Sequence, residues 1–428
     1  MTNAEDKLKL EPTTNPNSRP DLANTAARFS LETVVDVEGQ PIRITSYRSW
    51  AQFEEIVPAW ENILDENPRL SIFSTPEWMG SWWKAFGGGR QLVALAFLNE
   101  TGELLGLAPL YRDDSLFGRV KCLRLVGDGS KDSDNLDLII RPGSEKACVQ
   151  SFLGWLADQP DWDFCCLNTV DENSLAVNTL MRQLKARKWP MVLAPSHKAA
   201  VHLPGTWESY VKSLNSDFRP LVTRYPQRLS NRYKVRVSRC EHYSEICERL
   251  EALFSLHQKR WNKANEPGSF GSRARRQFYF DIAESFLQRG WLELWSLELN
   301  GAVVAVQFCF RYRDTGYILQ EGFDPDFAHE KVGYALRAAM LQHFIHLGIR
   351  QYDFLGGFNL HKQNWGARPG SYWNLGFATP GALGHRYLIF DKLASDTKAW
   401  IRHRLPYGVW NALYRLKMQT YGKPVSDI

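Results

Sequence analysis

The stretch Tyr352–Gly366, YDFLGGFNLHKQNWG, sets an acid (Asp353), a glycine pair (Gly356, Gly357), a lysine (Lys362) and a tryptophan (Trp365) just past a short apolar run. A strand that ends in polar residues and glycine is where a site can be built, because the loop beyond it presents side chains and backbone groups. The same residues also suit a plain structural role, with the glycines turning the chain, Asp353 capping a helix and Lys362 solvated. A second cluster lies in HEKVGYALRAAML, where Val332, Gly333, Tyr334 and Ala335 open a helix. Small residues there let a phosphate approach unpaired N–H groups at the positive helix end. That arrangement suits a pyrophosphate, and it equally suits close packing of a helix on a sheet.

The elements that must position these residues are legible from periodicity. From Leu292 to Tyr312 apolar residues alternate on both sides of Asn300-Gly301, which predicts a hairpin. A strand over 316–320, the loop EGFDPDFAHEK, a helix over 333–347 and a strand over 351–355 follow. An earlier region repeats this order: LVALAFL and LLGLAPLY joined by NETGE, the strands KCLRLVGD and LDLII, a helix over 144–157 and the strand DFCCLN. A helix over 174–188 and the strands PMVLA and AAVHL come next. The pattern predicts two similar α/β modules, 42–204 and 205–380, each a short mixed sheet with helices on it. A disordered lead-in over 1–41 precedes them and a basic, aromatic, helical tail over 381–428 follows. Helices are also predicted over 207–214 and 243–262. Arg224, Arg228 and Arg232 recur at every fourth residue, but Pro220 and Pro226 argue against a continuous helix from Phe218.

At 428 residues and 44% apolar content the chain can bury two cores, and no apolar run is long enough to cross a bilayer. The N-terminus lacks the apolar core of a secretory signal, and the seven cysteines follow no paired ligand spacing. A reduced, cytoplasmic protein without structural zinc is expected. Cys165 and Cys166 are strand neighbours on opposite faces, better suited to core than to nucleophilic work. Between Gly205 and Arg239 eight Lys/Arg face only Glu208 and Asp217, a patch that suits phosphate, anionic glycan or a membrane surface, or is simply solvated. No GxSxG, P-loop or HExxH occurs, so hydrolase and kinase readings lack support.

Taken as a set, LHQKRW (256–261), LELNGAVVAVQFCF (297–310), YILQEGFDPDFA (317–328), VGYALRAAML (332–341) and YDFLGGFNLHKQNWGA (352–367) resemble the acyltransferase domain of the CelD/BcsL-type proteins. These are bacterial members of the GNAT superfamily associated with cellulose and exopolysaccharide production. FSTPEWMGSWWKAFG (73–87), GLAPLY (106–111) and GDGSKDSDNLDLI (127–139) resemble the N-terminal half of the same proteins. The paired plan is also similar to the FemABX peptidyltransferases, which transfer an amino acid from aminoacyl-tRNA.

The resemblance implies two tandem GNAT-like modules, each a mixed, mostly antiparallel sheet flanked by helices. It implies acetyl-CoA or another acyl-CoA as co-substrate, its pyrophosphate held at Val332–Ala335, and a sugar, glycan or amine acceptor. In direct acyl transfer a base takes the acceptor's proton; Glu321 is the first choice and Asp353 the second, with Asp324 and His361 weaker. Lys362 with Trp365 and Gly366 resembles the Phe-Lys-x-x-Phe-Gly setting of the FemABX proteins, which implies that Lys362 meets the acceptor or the developing oxyanion. Arg260 and Trp261, ending an amphipathic helix, are candidates to line the acceptor groove. Their plainer roles are a surface ion pair and a helix-end core residue. One position departs from the superfamily pattern: Glu330 stands where the pyrophosphate motif commonly has Gln or Arg, and a carboxylate beside a pyrophosphate is unfavourable.

Two other readings stay open. A catalytically silent GNAT-like scaffold in a polysaccharide-synthesis assembly is one; a FemABX-like transferase whose arginine stripe contacts tRNA phosphates is the other. The tail segment 400–423 mixes Trp, Tyr and Leu with Arg and Lys, which suits peripheral contact with an anionic membrane or packing on the first module.

Overall fold

The structure, a computed structural model, describes residues 31–115, 120–263, 269–381 and 383–389. Its first half runs β1 (Leu31–Val37), β2 (Gln40–Tyr47), α1 (Trp50–Glu54), α2 (Val57–Glu66), α3 (Pro76–Phe86), β3 (Gln91–Leu98), β4 (Leu104–Ser115), β5 (Val120–Leu125), β6 (Ile139–Ile140), α4 (Glu145–Asp158), β7 (Phe164–Asp171), α5 (Leu175–Ala186) and β8 (Met191–His202). The second half runs α6 (Trp207–Ser213), α7 (Arg219–Arg232), β9 (Val235–Arg239), α8 (Tyr243–Lys263), α9 (Arg273–Gln288), β10 (Leu292–Leu299), β11 (Ala302–Tyr312), β12 (Thr315–Phe323), α10 (Val332–His346), β13 (Gln351–Gly356), α11 (Leu360–Asn364) and β14 (Arg368–Phe377).

Among the described residues one 14-stranded sheet has the order β1-β2-β3-β4-β5-β7-β14-β8-β13-β12-β11-β10-β9, with β6 on β4. The repeated plan is visible in it: hairpin β3–β4, strand β5, helix α4 and strand β7 correspond to hairpin β10–β11, strand β12, helix α10 and strand β13. In both copies the strands flanking the helix pair in parallel, as a helical crossover requires, whereas neighbours joined by short turns pair antiparallel. Asn300 and Gly301 sit at φ 53° and 88°, the two left-handed positions of a tight hairpin turn. The two GNAT-like modules share this one sheet because β14 inserts between β7 and β8, and β8 in turn pairs with β13.

Burial follows from composition. Helix α10 is apolar nearly all round and buries Leu336, Met340, Leu341 and Phe344, while α4 buries Val149, Phe152, Leu153 and Leu156. No helix among the described residues is long and apolar enough to cross a membrane.

Several expectations change. Leu31–Val37, assigned to the lead-in, forms β1 and pairs along its length with β2, since Val35 and Val37 give it an apolar face to set against the first module. PMVLA and AAVHL are one strand, β8, because β14 pairs it without a break from Met191 to Ala200 and β13 takes up Val201 and His202. LDLII contributes only Ile139–Ile140 as strand. Helix α7 is continuous despite both prolines: Pro220 lies in the first turn, where no N–H is needed, and Pro226 removes one bond from a helix anchored by buried Val222 and Leu229. The tail segment 400–423 lies outside the described residues.

Candidate active site

Both parallel pairs come apart. In the second module Thr315, Gly316 and Tyr317 pair with Gln351, Tyr352 and Asp353, and the pairing stops there although β12 continues to Phe323. In the first, Cys122, Leu123 and Arg124 pair with Phe164, Cys165 and Cys166, after which β7 runs on alone to Asp171 on that side. Both openings face one cleft of about 780 Å³.

The second opening is filled by a side chain that sequence reasoning missed. Arg337, from the second turn of α10, is 3% exposed and lies between the rings of Phe354 and Trp365, at 5.1 and 5.2 Å. Its Nη2 donates to Glu321 Oε2, and its Nη1 lies 2.7 Å from His361 Nε2. Arginine has no acceptor, so His361 Nε2 accepts and the ring proton sits on Nδ1, 3.4 Å from the Tyr334 hydroxyl. The signal in the sequence was a single cation inside the otherwise apolar VGYALRAAML.

This network sets the charge states. Burial pushes the Glu321 carboxyl up, but the Arg337 guanidinium and its neighbours more than reverse that and hold it below the usual carboxylate range. Burial, with Arg337 behind it, holds His361 below its ordinary value, as a neutral ring bonded to a cation requires.

The structure separates the two acids proposed as base. Glu321 and Arg260 line the cleft, whereas Asp353 is 2% exposed and borders a different cavity, with Lys198, Asp171 and Tyr317. Strand alternation is the reason, since Phe354 takes the face toward Arg337 and Asp353 the opposite one. Burial pushes the Asp353 carboxyl up to about 6, even though Leu355 N–H donates to it at 2.7 Å. Asp324 caps a turn and pairs with Lys259.

Lys362, expected to meet the acceptor or oxyanion, lines the cleft, and its ammonium donates to the carbonyls of Phe354, Leu355, Gly356 and Gly357 at 2.8, 3.3, 2.5 and 2.9 Å. An ammonium has three N–H donors, and these carbonyls occupy them. Lys362 therefore clamps the end of β13, where Leu355 sits at φ 60° and Gly356 N–H reaches across the modules to Asp134 at 2.8 Å. Trp365, expected to contact substrate, is fully buried against Phe218, Tyr334 and Arg337, and belongs to the core. Trp261 ends α8, and its side chain lies outside the described residues.

The start of α10 is open. Lys331 takes a left-handed turn at φ 56°, Tyr334 and Ala335 N–H return to its carbonyl, and Val332 and Gly333 N–H precede the first intrahelical bond. A Cβ on Gly333 would touch only Phe323, at an ordinary 3.8 Å, so packing does not demand glycine there. Glu330 does not oppose an anion at this point. It is 4% exposed and accepts from Arg232 Nη1 at 2.6 Å and from the Tyr233 hydroxyl at 3.3 Å. Val332, expected to hold the pyrophosphate, is fully buried, whereas Gly333 is half-buried. The residues present thus fit a pyrophosphate oxygen at Gly333, beside Lys331.

The first module supplies the far wall of the cleft. Arg124 Nη1 donates to Asp128 at 3.0 Å and Asn168 donates to the same carboxylate at 2.9 Å. Asp132 accepts from Arg275 and from the Tyr279 hydroxyl, each at 3.1 Å. These aspartates come from GDGSKDSDNLDLI, where sequence reasoning saw the motif but assigned no role.

Residues 216–363 match the model of an acetyltransferase (GNAT) domain. The match covers the open helix start, the Glu321–Arg337–His361 network and Lys362. No curated protein matches the sequence. Among solved structures the chain is similar to FemX, with 11% identity and TM-score 0.57 over 74% of this chain and 95% of that one. It is similar to a conserved protein of unknown function from Bacteroides thetaiotaomicron VPI-5482, with 12% identity and TM-score 0.51 over 76% and 97%. The C-terminal domain of a putative lysylphosphatidylglycerol synthetase from Agrobacterium fabrum gives 12% identity and TM-score 0.48 over 78% and 95%. At these identities the likeness is one of fold.

Proposed function

We propose that the second module is a GNAT-type acyltransferase that moves an acyl group, most simply acetyl, from acyl-CoA to an amine or hydroxyl of a sugar or amine acceptor. The observation that carries this reading is the pairing of an opened parallel strand pair with a bare helix start, inside the segment that matches the GNAT domain. Bound acyl-CoA supplies an activated thioester carbonyl. The chain supplies the rest: Gly333 N–H with Lys331 holds the pyrophosphate, and the cleft admits the acceptor past Arg260, Asp128 and Asn168. Glu321, kept ionised by Arg337, accepts the acceptor's proton as the new acyl bond forms, while the thioester C–S bond breaks and coenzyme A leaves as a thiolate that water protonates. Lys362 acts as a positioning residue, fixing the loop that closes one side of the opening.

An exopolysaccharide or cell-envelope pathway in the cytoplasm, beside a polysaccharide-synthesis assembly, is the setting we propose, in line with the sequence resemblance. A second reading, transfer from aminoacyl-tRNA, draws on the exposure of Arg224 and Arg228 along α7. Thiol release from acetyl-CoA over a panel of amino sugars and simple amines tests the first reading. Glu321→Gln is expected to lower kcat by about 100-fold with acetyl-CoA affinity unchanged. Full turnover in that variant would remove Glu321 from the chemistry.

A further inference from the structure

Away from the cleft, a groove of about 430 Å³ lies on the seam where α3 of the first module packs against α9 of the second, with α1 at its rim. Its walls are the indoles of Trp50 and Trp83, stacked at 6.2 Å with an interplanar angle of 19°. Four carboxylates line it, Glu54, Glu77, Asp281 and Glu284; Lys84 is the cation among its lining residues, and Arg289 pairs with Glu77 from outside the groove.

Two oxygens there have no partner. Asp281 is 8% exposed; its Oδ1 accepts from Lys84 Nζ at 2.8 Å and Gln277 Nε2 at 3.1 Å, while its Oδ2 is buried without a donor. Glu77 repeats the pattern, with Oε1 taken by Arg289 and Oε2 buried and unpaired. A buried carboxylate oxygen without a donor is costly, so an N–H that reached either one would be rewarded. A hydroxyl would fill the hydrogen bond but leave the excess negative charge, whereas an ammonium satisfies both. The indole faces favour the same choice, since they attract cations and cover an alkyl chain.

We infer that this groove is a binding site for a small aliphatic ammonium, held by Asp281 and Glu77 along the Trp50–Trp83 wall. A free diamine and a lysine side chain share that chemistry. The site does not depend on the acyltransferase reading, and α9 links it to the cleft, because the same helix carries Arg275 and Tyr279, which hold Asp132.

Calorimetric titration of the full chain with putrescine and, separately, with Nα-acetyl-lysine amide tests it, with 1,4-butanediol as the uncharged control. Saturable binding at a site that Glu321→Gln leaves intact is expected, and the tighter of the two amines identifies the source. Asp281→Asn should weaken it about tenfold and Glu54→Gln, on the exposed rim, about threefold, with Glu321→Gln without effect. Should Asp281→Asn fail to fold, Glu54→Gln decides. Absence of saturable binding by both amines, binding that survives both groove variants, equal binding of the diol, or loss in Glu321→Gln would each overturn the assignment.

Discussion

The two modules place a helix between two parallel strands in the same way, and they finish the construction differently. In the first, α4 begins beside Gly143 with Glu145 in its opening turn, and that carboxylate accepts the Gly143 N–H at 2.9 Å. An anion already stands at the positive helix end. In the second, the opening turn of α10 carries no acid, the N–H of half-buried Gly333 precedes the first intrahelical bond, and Glu330 is drawn aside by Arg232. The strand openings differ too: Arg124 in the first is a strand residue bound to its own loop through Asp128, whereas Arg337 in the second comes from the helix and ties Glu321 and His361 together. A duplicated plan thus yields one module that closes on itself and one that keeps a helix end and an ionised acid for something else.

The largest effect that would sharpen this contrast comes from Arg337. Arg337→Met leaves Glu321 without its cation, and stability should fall by about 2–4 kcal/mol, less than for a fully buried pair because Glu321 reaches the cleft. Activity should fall by about 100-fold, and the acid limb of kcat/KM should move up. In the parent protein that limb belongs below the ordinary glutamate value of 4.5, because Arg337 holds the carboxyl down and the base acts only when ionised. A parent limb near 6 would transfer the role to Asp353.

Lys362→Met comes next. It leaves the carbonyls of residues 354–357 without their shared donor, and the loop held to Asp134 should loosen. A rise in KM of about tenfold with a smaller change in kcat is expected; loss of kcat alone, with KM and melting temperature unchanged, would restore Lys362 to the chemistry.

The smallest effect is at Asp353. Its carboxyl titrates at about 6 when folded against an ordinary 3.8, so between these values the folded chain holds the extra proton and stability declines as pH rises. Above about 6 the deficit is constant. Asp353→Asn keeps an acceptor for Leu355 N–H and removes the charge, so its melting temperature should exceed the parent's at pH 8 and match it at pH 3. Equal melting at both pH values would mean the burial of this charge is offset by Lys198 and Lys362.

The fold was legible where periodicity and turn chemistry act locally. Asn300-Gly301 between alternating runs specifies a hairpin, and VGYALRAAML specifies a helix that opens on small residues. What stayed hidden depends on contacts far apart in the chain. The joining of both modules into one sheet rests on β14 reaching β7, some two hundred residues earlier. Lys362 read as a free ammonium because nothing in YDFLGGFNLHKQNWG shows that the strand end curls back to meet it. Glu330 read as an obstacle because Arg232 and Tyr233 lie about a hundred positions away. Arg337 was the one visible clue passed over, a buried charge that had to have a partner.

The most direct test of the contrast between the modules is calorimetric titration of acetyl-CoA into the parent protein and Gly333→Ala. One site per chain is expected. The alanine should weaken binding about tenfold by covering the amide, while raising folding stability by up to about 1 kcal/mol through helix propensity. Two sites per chain, no binding at millimolar acetyl-CoA, or undiminished affinity in Gly333→Ala would contradict it.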